Sequence, residues 1–196
     1  MKRVVTRIRL CSSRPERAMA RIDLPPGDEL TSWLQLSPIG DGLSAFAGAV
    51  YSQSRLTRRE FEAARVRVAE SNRCVTCLNT RYEDGDEHGL DAAFYANVTN
   101  PQFAGYSERE RLAIEFAERF CERWTDDDPE FWARLRRGFS DGEIVDLALQ
   151  VAELVGAGRI LHMLDIAQTC GLTIHRDNSM VLHSLAPVGD RAAGSS

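Results

Sequence analysis

The chain has 196 residues, 43% of them hydrophobic and 27% charged, which is enough for one domain with its own core. Its formal net charge of -5 argues against a nucleic-acid partner, because phosphates require a positive surface. No apolar run approaches the roughly 20 residues that span a bilayer, and no apolar stretch of a secretory signal follows the basic N-terminus. The composition therefore predicts a cytoplasmic protein without a membrane partner.

The two ends of the chain are predicted to be flexible. Residues 1–27 form a basic arm with few large apolar side chains, which cannot offset the entropy of ordering. Met19 resembles a natural start, so we hypothesise that the preceding residues reflect the choice of start site, which N-terminal sequencing of native protein would test. Residues 187–196 are small and polar and form a flexible tail. One domain is predicted over residues 28–186.

Helices are predicted between these ends. Leu43 to Tyr51 fits a helix that ends before the turn at 52–54. Three later helices begin at capping boxes, in which a hydroxyl and a carboxylate three residues apart satisfy N-terminal N–H groups. The boxes are Thr57 to Glu60, Ser107 to Glu110 and Ser140 to Glu143.

The last predicted helices are strongly apolar. Asp141 to Val155 is apolar almost all round, which is typical of a central helix or one buried between subunits. Gly156 and Gly158 permit either a break or a close approach, and the helical pattern then resumes from Arg159 to Thr169. No segment shows convincing strand alternation, so the predicted fold class is all-α.

The sequence Cys74-Val75-Thr76-Cys77 lies at a predicted helix N-terminus. A CxxC pair can close a small disulfide loop, and unpaired N–H groups in the first turn stabilise a thiolate. Outside oxidising compartments such a pair is more often catalytic or metal-binding, and the alternative is two small buried hydrophobic residues. Zinc would need two further ligands, which the remaining cysteines and histidines do not offer at a paired spacing, so no metal is predicted. Cys11, Cys121 and Cys170 are interpreted as bystanders.

Around this pair the chain resembles the AhpD-like alkylhydroperoxidases of the carboxymuconolactone decarboxylase superfamily. The family motif is a Glu twelve residues before the first Cys of a CxxC and a His four residues after the second. Glu62, Cys74 and Cys77 match it, whereas Arg81 stands at the His position. The resembling segments are 56–60, 67–69, 72–77, 106–113, 131–135 and 139–147.

The resemblance implies an all-helical AhpD-like bundle that assembles as a trimer, dimer or hexamer and needs no cofactor. It implies that Cys77 attacks a peroxide, that Cys74 resolves the product and that Glu62 is the acidic end of a proton relay. We predict that Arg81, on the same helix as Cys77, stabilises its thiolate and forms a static ion pair with Glu62. His162 and Thr76 are auxiliary candidates.

The function predicted from these residues is thiol-dependent reduction of hydroperoxides, or disulfide exchange, with an external dithiol protein as reductant. One alternative is a lyase of the same superfamily that acts on a small acid or lactone, although that branch generally lacks the CxxC. The other alternative is a non-catalytic helical oligomer that senses redox state or binds a partner, which the replacement of His by Arg81 keeps open.

Overall fold

Helices dominate the computed structural model, which describes residues 20–100, 102–122, 128–168 and 170–185. The all-α class predicted from the sequence is therefore confirmed, with one small sheet added. The helices are α1 (Glu29–Ser32), α2 (Gly40–Gln53), α3 (Arg58–Asn72), α4 (Val75–Leu78), α5 (Ala92–Ala96), α6 (Glu108–Glu122), α7 (Pro129–Gly138) and α8 (Asp141–Leu164), with 3-10 turns at Trp33–Leu36 and Gly85–His88.

All three predicted capping boxes are formed. In each box the hydroxyl accepts a hydrogen bond from the backbone N–H of the glutamate, and the carboxylate accepts one from the N–H of the capping residue. The three pairs are Thr57–Glu60, Ser107–Glu110 and Ser140–Glu143.

Helix α8 is continuous, so of the two alternatives for Gly156 and Gly158, a break or a close approach, the break is wrong. A glycine inside a helix costs only about 1 kcal/mol relative to alanine, which tertiary packing readily offsets. Gly158 allows a close approach, because a Cβ atom there would lie 2.5 Å from Nδ2 of Asn72. The helix ends at Leu164, followed by Asp165 in the left-handed conformation, and not near residue 169 as predicted.

A three-stranded sheet, which the sequence analysis missed, joins two distant segments. It consists of β1 (Thr80–Tyr82), β2 (Cys170–Ile174) and β3 (Met180–Ser184). β1 pairs parallel with β2, and β2 pairs antiparallel with β3. The sheet therefore fastens the segment after the two cysteines to the segment after α8.

The main core lies where α3 packs against α6 and α8. Its buried side chains include Phe61, Leu112, Phe116, Leu135, Leu147 and Val151. A second apolar cluster surrounds Cys74 and includes Leu161, Ile166, Ala167 and Leu172. The C-terminal end of α3 and the two cysteines thus lie between the main core and the sheet.

The predicted flexible ends fall largely outside the described residues, which exclude 1–19 and 186–196. In the described part of the arm, Arg21 donates hydrogen bonds to the carbonyls of Met163 and Leu164 at the end of α8. Within the described part of the chain, no helix is both long and apolar enough to cross a membrane. The same residues contain no group of three His, Cys, Asp or Glu side chains suited to a metal ion.

Candidate active site

The end of α3 turns the chain directly into the CxxC segment. Arg73 adopts the left-handed conformation with φ 52°, and its N–H donates to the carbonyls of Ala69 and Glu70. Cys74 then serves as the N-cap of α4, and its Sγ accepts a 3.3 Å hydrogen bond from the N–H of Cys77. The predicted helix N-terminus is confirmed, although α4 has only four residues.

The two cysteines are joined by a disulfide and differ in exposure. Cys74 is completely buried, whereas Cys77 is partly exposed. A thiol that meets a substrate must be accessible, whereas a resolving thiol needs only to reach its partner. The difference is compatible with the roles implied by the resemblance.

Hydrogen bonds hold this segment against the residues that follow α8. The Thr76 hydroxyl donates to the carbonyl of Ala167, and the N–H of Val75 donates to Oε1 of Gln168 over 3.1 Å. The parallel pairing of β1 with β2 continues the contact. Thr76, an auxiliary candidate from the sequence, is therefore a buried structural contact whose hydroxyl is already engaged.

Glu62 forms a buried ion pair with Arg65, one turn along α3. Nη2 and Nε of Arg65 donate to its two carboxylate oxygens over 2.6 and 2.7 Å, and neither side chain is more than 2% exposed. Burial acts to lower the pKa of Arg65, but the charge and hydrogen bonds of Glu62 outweigh this and raise it. The predicted Glu62–Arg81 ion pair is therefore wrong.

Arg65 also reaches the cysteine segment. Its Nη1 donates to the backbone carbonyl of Cys77 over 2.5 Å, and its Nη2 donates to that of Thr80 over 3.3 Å. Sequence reasoning missed Arg65. The sequence did contain an indication that this part of α3 is buried. Glu62 and Arg65 are one helical turn apart, and the residues around them are apolar: Ala63, Ala64, Val66 and Val68.

Arg81 lies in β1 and not on the helix of Cys77, so its predicted position is wrong. Its guanidinium donates to the carbonyls of Leu78 and Thr80 and stacks 3.8 Å above the ring centre of Tyr95. There it lines a cavity of about 600 Å³ that does not include Cys77. Position 81, where the AhpD-like motif has a His, therefore borders a different cavity from Cys77.

A second cavity, of about 340 Å³, has Cys77 in its wall. Its polar lining residues include Tyr51, Arg65, Thr80 and Glu153. Its apolar walls include Leu30, Trp33, Leu34, Leu43, Leu154 and Leu161. We call this space the Cys77 pocket.

Glu153 is the second residue of the pocket that sequence reasoning missed. It is only 5% exposed, and desolvation raises its pKa to about 7. The same burial raises the pKa of Tyr51 well above its ordinary value, opposed by the charge of Arg65. Glu153 lies in the largely apolar segment 141–155, where one acidic residue does not stand out. A sequence alone does not show which helical face borders a cavity.

Among the described residues, the remaining candidate and the other cysteines do not line the Cys77 pocket. His162 is exposed in the last turn of α8 and does not line the Cys77 pocket. Cys170, interpreted as a bystander, is disulfide-bonded. Cys121 is a free thiol, and burial raises its pKa.

Comparison with known proteins identifies the fold. No family model matches the chain, and no curated protein matches it. A protein of unknown function from Agrobacterium tumefaciens, provisionally described as an antioxidant defence protein AhpD, superposes with a TM-score of 0.60 and 20% identity over 74% of this chain and 95% of its own. The chain has an AhpD-like fold.

Two further structures share this AhpD-like fold. An uncharacterised peroxidase-related protein from Silicibacter sp. TM1040 gives a TM-score of 0.60 and 18% identity over 79% of this chain and 94% of that protein. An uncharacterised peroxidase-related protein from Ralstonia eutropha JMP134, described as an alkylhydroperoxidase AhpD core, gives a TM-score of 0.59 and 21% identity. The match covers 71% of this chain and 75% of that protein. The predicted resemblance to the AhpD-like proteins is thereby confirmed at the level of the fold.

Proposed function

We propose that this protein is a thiol-dependent, peroxidase-like oxidoreductase that reduces hydroperoxides, or exchanges disulfides, through Cys74 and Cys77. The observation that carries the proposal is the placement of the two sulfur atoms. Cys77 is partly exposed in the wall of the Cys77 pocket, and Cys74 is buried behind it at disulfide distance. This arrangement suits a nucleophile that meets the substrate and a resolving thiol that does not.

The reaction proceeds in two steps that conserve atoms and electrons. The Cys77 thiolate bonds to the terminal peroxide oxygen, the O–O bond breaks, and an alkoxide leaves, which gives a sulfenic acid and, after protonation, an alcohol. The Cys74 thiol then attacks the sulfenic sulfur and releases water as the disulfide forms. An external dithiol protein reduces the disulfide and is itself oxidised.

The substrate is proposed to be a small organic hydroperoxide. The lining of the pocket is largely apolar and includes six leucines and Trp33. A volume of about 340 Å³ is at the lower end of the range for small-molecule sites. An alkyl group can therefore occupy the apolar part while the peroxide group meets the sulfur.

We further propose that the protein works in the cytoplasm as a homo-oligomer. Two apolar side chains on the outer face of α8 support the second point, since Val145 and Leu149 are 55% and 47% exposed. Exposed apolar residues that cluster on one helix face are typical of a subunit contact. The cytoplasmic location fits a reductant that is a dithiol protein.

Stopped-flow consumption of cumene hydroperoxide by the fully reduced protein tests the proposal. We expect one hydroperoxide to be consumed per protein with the loss of two thiols, and a subsequent dithiol treatment to restore both. Cys77→Ser should abolish the reaction, whereas Cys121→Ser, which removes a cysteine outside the pocket, should leave it unchanged.

Two results would contradict the proposal. If the reduced protein consumes no hydroperoxide and exchanges no disulfide, the CxxC is not a redox centre. If it decarboxylates a small acid or lactone with both cysteines changed to Ser, the protein is a lyase.

A further inference from the structure

Glu153 is a buried carboxylate in the wall of the Cys77 pocket. It lies near the middle of α8, is 5% exposed and lines the same cavity as Cys77. Its Oε2 atom has no hydrogen-bond partner among the described residues. Since burying a carboxylate without a partner costs free energy, such groups are concentrated at functional sites.

None of the other described ionisable groups that line the pocket donates a hydrogen bond to Oε2 of Glu153. Arg65 on α3 donates to Glu62 and to two backbone carbonyls. Tyr51 on α2 and Cys77 on α4 are the other ionisable groups among the described lining residues. The lining residues from α1, the three strands and the rest of α8 carry no charge, so they supply no ion-pair partner for Glu153, whose Oε2 stays without a hydrogen bond among the described residues.

Other proton carriers suggested by the sequence are not available to Cys77. Both oxygens of Glu62 accept hydrogen bonds from Arg65, so its protonation would break a buried, charge-assisted pair. Arg81 lines the other cavity, and His162 is exposed outside the pocket. Among the described residues that line the Cys77 pocket, Glu153 is the one with a carboxyl group.

The chemistry requires such a group. The thiol must lose a proton before it attacks, and the departing alkoxide must gain one. Because burial raises the pKa of Glu153 to about 7, both of its protonation states are populated near neutral pH. A side chain with that property can accept and return a proton within one reaction cycle.

We infer that Glu153 is the acid–base residue for Cys77, an inference that rests on the peroxidase function proposed above. As a carboxylate, Glu153 accepts the proton of the Cys77 thiol, directly or through a water molecule. The thiolate takes the terminal peroxide oxygen, and the O–O electron pair leaves with the alkoxide. Protonated Glu153 returns the proton to the alkoxide, which leaves an alcohol, a sulfenic acid and the original carboxylate.

Two rates measured on the reduced Glu153→Gln variant test this role. The first is hydroperoxide consumption, which needs a proton for the alkoxide and should fall by about 10²-fold at pH 7. The second is alkylation of Cys77 by iodoacetamide, which needs only the thiolate. Alkylation should stay equal or become faster, because removal of a neighbouring carboxylate charge favours the thiolate.

Glu118→Gln is the matched control, since Glu118 is a half-exposed carboxylate on α6 outside the pocket. It should change neither rate. If Glu153→Gln does not fold, as judged by its thermal unfolding curve, Glu153→Asp is measured instead. That variant keeps the carboxylate but withdraws it by one methylene, and it should show an intermediate hydroperoxide rate with unchanged alkylation.

The outcomes separate this inference from the function on which it rests. A wild-type protein that consumes no hydroperoxide contradicts both. A wild-type protein that reacts, with Glu153→Gln within threefold of it, contradicts the role of Glu153 alone. A parallel fall of both rates would mean that Glu153 only supports the structure around Cys77, which also overturns the inference.

Discussion

The buried pair of Glu62 and Arg65 connects α3 to the cysteine segment. Arg65 neutralises Glu62 and, through a hydrogen bond to the carbonyl of Cys77, holds the backbone of the CxxC segment. Glu62 is therefore connected to the CxxC segment only indirectly, through the hydrogen bonds of Arg65. The resemblance assigns Glu62 to a proton relay, and that role stays a prediction.

Loss of Arg65 should be far more damaging than loss of Arg67, an arginine on the same helix whose ion-pair partners are half exposed. Arg65→Ala leaves the Glu62 carboxylate buried without a partner, so the free energy of unfolding should fall by about 3–5 kcal/mol. Arg67→Ala is the control, because its partners Glu118 and Glu122 are half exposed, and it should cost less than about 1 kcal/mol. Urea unfolding followed by circular dichroism measures both, and equal losses would contradict the importance of burial.

Glu153 should make the stability of the protein depend on pH. Its pKa is about 7 in the folded protein and near its ordinary value in the unfolded chain, so folding favours the protonated form. The contribution is fully present below about pH 4.5 and is lost as pH rises to about 7, a change of roughly 3 kcal/mol. Glu153→Gln should remove this part of the dependence, as measured by urea unfolding between pH 4.5 and 8.5.

Only part of the site can be deduced from the sequence. Cys74, Cys77 and Glu62 are recognisable because their spacing along the chain is itself the motif. Arg65 and Glu153 are not, because their importance comes from burial. Burial is decided by which helix faces meet in the folded molecule, and Arg65 reaches the Cys77 carbonyl only after the chain reverses at Arg73.

At the scale of elements, the capping boxes should contribute measurably to stability. Thr57→Ala removes the hydroxyl that caps α3 and should lower the free energy of unfolding by about 0.5–2 kcal/mol. Ser52→Ala is the control, since the Ser52 hydroxyl donates within α2 to the carbonyl of Gly48 and caps nothing. A loss at Ser52 equal to that at Thr57 in thermal or urea unfolding would contradict the capping role.

The two glycines of α8 should respond differently to alanine. Gly156→Ala meets nothing within 4 Å and should stabilise the helix by about 0.5–1 kcal/mol. Gly158→Ala places a Cβ against the Asn72 amide, which donates to the carbonyl of Leu154 over 2.9 Å, so the unfolding free energy should fall by about 1–3 kcal/mol. Urea unfolding of both variants checks the opposite signs, and equal effects would contradict the close approach.

Most helices could be predicted, whereas the sheet and the continuity of α8 could not. Capping boxes are local signals, so a few adjacent residues suffice to locate a helix start. β1 has three residues and pairs with a strand that begins almost ninety residues later, and a segment so short carries no alternation. The glycines of α8 resemble a helix break because helix propensity is a property of each residue alone. The tertiary packing that stabilises the helix at these positions involves residues distant in the sequence.

At the scale of the whole molecule, the outer face of α8 should form the contact between subunits. Val145→Glu with Leu149→Glu places charges on this face and should convert the predicted homo-oligomer to a monomer in analytical ultracentrifugation. Ile39→Glu, at an apolar residue that is 80% exposed near the start of α2, is the control and should leave assembly unchanged. A wild-type monomer, or a double variant that still assembles, would contradict the prediction.

The hydrogen bond from Thr76 to Ala167 has a consequence for biosynthesis, because the two residues are 91 positions apart. At about 5–20 residues per second, the ribosome needs roughly 5–20 s after Cys77 to complete the segment that closes over the cysteine pair. During this interval the nascent chain presents both thiols without their cover, and cellular oxidants and reductants can reach them. Oxidation or reduction of the pair can therefore begin before Cys74 acquires the complete burial that it has in the folded protein.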